Sequence, residues 1–298
     1  MTEPRFSQEK LLVVAALFAV YVLWGSTYLG LKFGLEGFPP FLLNGIRLIV
    51  AGAVLFWWAS AKGGATPTRR QWGHSALLGG LMFIGGLGLV TVAEDQGVGS
   101  GLVASGVAVM PLWAALWSGL FGSWPTRLEW LGLAIGFSGV ALLSQEGDFQ
   151  ASGLGTALMI IAPISWAFGS VVAGRLDIPK GNMGSAAQML GGGVLLIVAG
   201  LGRGEWIDEP PSLGAWLALG YLITAGSLIA YTAYLYLLAH TRAAVATSYA
   251  YVNPAVAIVL GVTLGDEIVG GWAYAGLPVI LAGVAMVGFA QKRRQAAT

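Results

Sequence analysis

The chain has 298 residues, of which 56% are hydrophobic and only 10% charged, against roughly 25% charged in a soluble globular domain. A water-facing surface over a core of this size needs more polar side chains than are present, so the composition excludes an ordinary soluble fold and makes lipid the expected solvent. Cysteine is absent, histidine is limited to His74 and His240 and the formal net charge is +1; disulfides and thiolate metal centres are excluded, and neither metal nor cofactor is expected.

Apolar segments of the roughly 20 residues that a helix needs to cross a hydrocarbon core recur ten times, over 11–31, 41–61, 74–93, 100–121, 130–145, 154–174, 184–201, 213–238, 243–264 and 271–290. The fold class predicted is therefore an all-α integral membrane protein of ten transmembrane helices. The first segment runs on through "YVLWGSTYLGLKFG" without a small-residue cleavage site, so it reads as a span and not a signal peptide. Connections are brief and hold most of the charged residues.

Taken in order, the spans carry polar and aromatic groups at helical spacing. The first has Tyr21, Trp24 and Tyr28 on one face. The second contains Arg47, a costly residue inside a membrane, which is expected to reach the interface or a helix terminus in a structural role. Glu94 and Asp95 end the third and read as a gate or proton site. The fourth has Met110, Trp113 and Trp117 in a stripe, with Pro111 beside the first of them. The sixth repeats the first span's spacing as Pro163, Trp166 and Ser170; the eighth has Ser227, Tyr231 and Tyr234; the ninth has Tyr249 and Asn253 one turn apart, followed by Pro254.

Buried hydroxyls and amides need partners, which are each other, a freed backbone carbonyl or a ligand. The candidate substrate-binding set is Trp24, Tyr28, Met110, Trp113, Trp166, Ser170, Ser227, Tyr231, Tyr234, Tyr249 and Asn253. Core packing or an interfacial aromatic belt also accounts for rings in these stripes, and both readings stand at this point. The pairs Gly132 and Gly136, Ser118 and Gly122, and Gly261 and Gly265 have the small-xxx-small spacing of close helix packing. No phosphate-cradling loop and no nucleophile with a base is visible, so no enzyme is expected. The tail "QKRRQ" reads as a juxtamembrane anchor, not a nucleic-acid site.

Basic residues are segregated. The termini and even-numbered loops hold twelve Lys or Arg, the odd-numbered loops hold Lys32 and Arg203, and Arg47 lies within a span. Because basic residues collect on the cytoplasmic side, both termini are expected there. The chain also repeats itself: a shift of 143 residues lays "MPLWAALWSGLFG" from Met110 onto "NPAVAIVLGVTLG" from Asn253, and "WGSTY" from Trp24 pairs with "WAFGS" from Trp166 at a shift of 142. Two five-helix repeats are expected, 11–145 and 154–290, and since five is odd the second enters the membrane inverted. Inverted repeats point to a transporter whose site lies between the halves.

The segment "YVNPAVAIVLGVTLGDEIVGGWAYAGLPVILAGVAMVGF" resembles the C-terminal half of EamA-type members of the drug/metabolite transporter superfamily, with a proline opening the ninth helix, an "lgE" ending it and an "aGv" in the tenth. "MPLWAALWSGLFGSWPTRLEWLGLAIGFSGVALL" resembles the matching stretch of the first half, with "SWP" in place of the glutamate, so Glu267 is not duplicated. Within the superfamily the arrangement is most similar to bacterial aromatic amino-acid exporters of the YddG type. The resemblance implies a secondary transporter of the inner membrane that exports amino acids, aromatic ones included, and related small metabolites by alternating access. Helices 1, 3, 4, 6, 8 and 9 would enclose the site. The expected partners are a small-molecule substrate and the bilayer, with the monomer as working unit. A multidrug or nucleoside exporter is the alternative; a channel or intramembrane enzyme is a more distant one. Pro111 and Pro254 would act as hinges, freeing the carbonyls of Val107 and Ala250.

Overall fold

The computed structural model describes residues 4–96, 103, 106–143, 153–264 and 271–296, which contain helices and turns and no strand. Helix α1 is continuous through Pro4–Ala19, a π-helical stretch Val20–Trp24 and Gly25–Leu35; α2 is Pro40–Ala61. Helix α3 runs through Arg69–Gly79, π-helical Gly80–Gly88 and Leu89–Asp95, and is followed by α4 (Met110–Leu120), α5 (Arg127–Leu143), α6 (Gly153–Ala173) and α7 (Asn182–Gly202). Helix α8 runs through Leu213–Tyr221, π-helical Leu222–Ile229 and Ala230–His240; the short turn Ala243–Ala246 leads to α9 (Tyr249–Leu264), and α10 is Gly271–Ala296. Five of these are long and apolar enough to cross a membrane: Gln8–Leu35, Pro40–Ala61, Arg69–Asp95, Asn182–Gly202 and Leu213–His240.

The ends of the helices are set by local chemistry. Thr68 and Gln71 form a capping box at the start of α3, and Ser212 accepts from Ala215 N at the start of α8. Helix α2 begins with Pro40, where a missing N–H costs nothing, and its next two amides donate to Glu205 Oε2 at 2.9 and 3.0 Å. Thr126 and Glu129 exchange hydrogen bonds in the same way at the start of α5, and Glu129 also pairs with Arg242 from the far end of the chain. Gly122, read from the sequence as half of a packing pair, instead follows α4 in a left-handed turn at φ 87°, where an added Cβ would meet nothing within 4 Å.

Two further expectations are corrected at the boundaries. The 100–121 and 243–264 segments are not single straight helices: Ala108 and Val109 form a turn before α4, and Thr247 and Ser248 interrupt the chain before α9. Residues 100–102 and 104–105 of the former, and Gly265 and Glu267 beyond the latter, lie outside the described residues. Nor do the two prolines occupy like positions. Pro111 sits in the first turn of α4, where no helical donor is lost, whereas Pro254 lies inside α9 and leaves the Ala250 carbonyl without its helical donor.

The distribution of side chains is that of a protein solvated by lipid. Large apolar side chains such as Phe18, Trp57, Val198 and Leu217 face outwards, while Asn44, Arg47, Thr91, Gln188, Ser227 and Asn253 are buried. Helix α2 packs along α7, and α5 along α10. Glycines bring the backbones together: a Cβ on Gly45 would stand 3.2 Å from Gly193 O, and one on Gly283 would stand 2.4 Å from Gly136 N.

Candidate functional site

A cavity of about 80 Å³ lies among α1, α2, α3, α4, α6, α8 and α9. Helix α1 contributes Trp24, Thr27 and Tyr28, α6 contributes Pro163 and Trp166, α8 contributes Gly226, Ser227 and Tyr231, and α9 contributes Tyr249 and Asn253. Met110 closes it from the first residue of α4, and Phe83 and Gly86 from the π-helical part of α3.

The three π-helical stretches were not expected. They lie where α1, α3 and α8 border the cavity, and the wider turn of a π-helix turns backbone carbonyls towards side chains. Leu81 O in α3 accepts from Ser165 Oγ at 2.7 Å, and Gly226 O in α8 accepts from Trp24 Nε1 at 2.9 Å. Glycine makes the accompanying space: a Cβ on Gly86 would meet the Trp166 ring at 2.6 Å.

The walls are aromatic. Trp24 is the hub, with ring centroids 4.6 Å from Tyr249, 5.0 Å from Tyr234 and 5.6 Å from Trp166, the first and last edge to face. Phe83 and Tyr231 meet at 4.9 Å. The hydroxyls find protein partners: Tyr231 donates to Gln188 Oε1 at 2.9 Å, behind the wall, and Tyr249 to Met110 Sδ at 3.2 Å, within it. The rings thus pack on one another, edge to face or tilted, around the cavity, while Asn253 Oδ1 is buried without a donor.

Arg47 stands in this wall, which corrects the interface reading. It is 4% exposed, its Nε donates to Ser227 Oγ at 2.7 Å, and its Nη1 reaches Asn44 Oδ1 at 3.4 Å. Helix α2 therefore borders the site, beyond the six helices that the resemblance implied.

Of the residues singled out in the sequence, Trp24, Tyr28, Met110, Trp166, Ser227, Tyr231, Tyr249 and Asn253 line the cavity. Ser170 and Tyr234 form a layer behind it: Trp166 Nε1 donates to the Tyr234 hydroxyl at 3.2 Å, and that hydroxyl shares a 2.5 Å hydrogen bond with Ser170. Ser170 in turn lines a separate cavity of about 210 Å³ with Arg175 and Arg242. Trp113 faces elsewhere and stacks on Trp117 at 6.5 Å. Both carboxylate oxygens of Glu94 are buried and unpartnered, whereas Asp95 is exposed and lines a third, wider cavity with Glu36 and Arg203. Thr27, Arg47, Phe83, Gly86 and Gly226 are site residues that sequence reasoning did not select.

The EamA-like transporter family matches the chain twice, over residues 11–145 and 153–289. The chain belongs to the EamA-like transporter family. Other EamA-like relatives carry names that go no further than transport. An uncharacterized inner membrane transporter of Escherichia coli, YedA, is 43% identical over 95% of this chain and 92% of its own. An uncharacterized transporter of Bacillus subtilis, YdfC, is 29% identical over 80% of this chain and 78% of its own. A solved crystal structure shares the fold, with a TM-score of 0.75 over 96% of this chain and 99% of its own, at 20% identity.

Proposed function

We propose that this protein is a secondary transporter that exports amino acids, aromatic ones included, and related small metabolites across the bacterial inner membrane. It works by alternating access, as ten spans arranged in two inverted repeats, 11–145 and 154–290, with both termini in the cytoplasm and the monomer as working unit. The observation that carries this reading is the aromatic cavity itself. Its rings come from both family matches, Trp24 and Tyr28 from the first and Trp166, Tyr231 and Tyr249 from the second. A site shared between halves is the arrangement that rocking of one half against the other can expose to each side in turn.

Cavity size supports the same cycle. At about 80 Å³ the space is smaller than the roughly 150 Å³ of a cavity that admits benzene, so an aromatic substrate enters only when the helices part. The Trp166–Tyr234–Ser170 chain of hydrogen bonds separates this space from the cavity beside Arg175 and Arg242. In our reading these bonds break when the site opens to that side. Pro254, with the Ala250 carbonyl released in α9, and Pro111, in the first turn of α4, are the hinges. Glu94 is the gate or proton site at the other end, beside Tyr28.

Counterflow in proteoliposomes tests the reading. Vesicles preloaded with unlabelled L-tryptophan or L-phenylalanine should accelerate uptake of the labelled compound, saturably, with aromatic competitors acting before L-valine. Flux that does not saturate would make the protein a channel, and acceleration by nucleosides or cationic dyes alone would make it a different exporter.

A further inference from the structure

Resting on the amino-acid reading of this cavity, we propose that Arg47 is its carboxylate-binding residue and that Asn253 accepts the substrate's amino group. The substrate class is then an α-amino acid held by both ends of its backbone, with its ring among Trp24, Trp166 and Tyr249.

Arg47 lies seven residues into α2, about 11 Å from the helix end at 1.5 Å per residue, well inside the bundle. A buried guanidinium is costly unless an anion compensates it. Among the described residues none does. The ion pairs join Arg203 to Glu205 and Arg242 to Glu129, and Glu94, the buried acid with both oxygens free, makes no pair with Arg47. Its hydrogen-bond partners are neutral: the Ser227 hydroxyl and the Asn44 carbonyl oxygen, the latter side chain itself anchored by donating to Pro40 O and Thr91 Oγ1 at 3.0 and 2.9 Å.

Position and geometry complete the case. Nη2 lies against Gly226, where a Cβ would come within 2.4 Å, and makes no hydrogen bond to a described residue. The guanidinium is therefore held through Nε by Ser227 and through Nη1 by Asn44, while Nη2 keeps its donors on the cavity wall. A planar fork of this kind matches a carboxylate. Among the described residues no second cation lines the cavity, so a monoanion is favoured over a phosphate, which would call for paired cations. In the same wall Asn253 is 2% exposed, its side chain lies against the Tyr28 hydroxyl, and its Oδ1 has no donor, an acceptor that an ammonium group satisfies. One unspent donor set and one unspent acceptor in a single aromatic cavity describe the two ends of a zwitterion.

The test compares ligands that differ in one group, using reconstituted wild-type protein and uptake of labelled L-tryptophan. Competitors are L-tryptophan, indole-3-propionate, L-tryptophanamide and tryptamine. The proposal expects L-tryptophan to compete best and the amide and amine, which lack the carboxylate, to be at least about tenfold weaker. Indole-3-propionate, which lacks the amino group, should fall between. Arg47→Gln should abolish the difference between acid and amide, and Arg47→Lys should restore part of it. Equal competition by L-tryptophan and its amide on the wild type would overturn the proposal without need of any variant, even if Arg47→Gln does not fold. So would a folded Arg47→Gln protein that still prefers the acid. In both cases L-tryptophan transport stands and only the assignment to Arg47 falls. If the wild type transports no aromatic amino acid at all, the functional reading fails and the proposal falls with it.

Discussion

Glycine does opposite work in the α5–α10 contact and in the central cavity. Between α5 and α10 it lets backbone touch backbone: a Cβ on Gly283 would stand 2.4 Å from Gly136 N, and one on Gly139 2.7 Å from Ile280 N. At the cavity it lets a side chain lie against a helix. Gly86 faces the Trp166 ring, and Gly226 faces the end of Arg47. The first contact is between parts that cannot yield separately, and the second between a helix and a side chain that can. An added methyl should therefore cost folding in one region and function in the other.

The largest effect is expected at Gly283→Val. A branched side chain in that contact must push two helices apart, and overpacking of this kind costs about 1–3 kcal/mol or more even where neighbours can adjust. Monodisperse protein recovered by size exclusion should fall severalfold. Recovery at the wild-type level would show that the α5–α10 contact is looser than described. Next come Gly86→Ala and Gly226→Ala. Both should fold, with thermal stability near the wild type, while apparent affinity for L-tryptophan drops about tenfold because Trp166 or Arg47 is displaced. If these variants fail to fold while Gly283→Val folds, the contrast is the reverse of the one drawn.

The hinge residues sharpen the comparison from a third side. Pro254 is inside α9 and Pro111 at the start of α4, so their replacement by alanine should not be equivalent. Pro254→Ala restores a helical donor and should slow transport severalfold with binding largely intact, because it acts on the conformational step. Pro111→Ala should do less. Equal, wild-type rates in both would remove the hinge from the account.

The helices were readable from composition because spans of this length have no other use for so few charges. Their interiors were readable only in part. Stripes such as Trp24 with Tyr28, or Tyr249 with Asn253, were found because helical spacing keeps them on one face. Trp113 was misplaced because the cavity touches only the first residue of α4, and one turn later the same stripe has turned to Trp117. The π-helical stretches Val20–Trp24, Gly80–Gly88 and Leu222–Ile229 lie within apolar runs whose spacing reads as ordinary helix. Arg47 was missed for want of a view of what covers α2. Gly45 and Gly52 lie on the face packed against α7, and Arg47 is two residues from Gly45, roughly 200° round the helix. That spacing turns Arg47 away from α7 and onto the side of Val54, which is exposed, so α2 by itself gave no sign that the arginine meets Ser227 of α8.

The most direct measurement of the account is transport by Trp166→Ala in proteoliposomes, with L-tryptophan and L-valine compared at equal reconstituted protein. Trp166 contributes an edge-to-face wall to the cavity, with its ring 5.6 Å from that of Trp24, and such aromatic pairs contribute about 0.5–1.5 kcal/mol beyond their area. If the cavity is the substrate site, tryptophan transport should fall about tenfold while valine transport falls far less. An equal loss for both substrates, with normal folding, would make Trp166 a packing residue and would contradict the central claim.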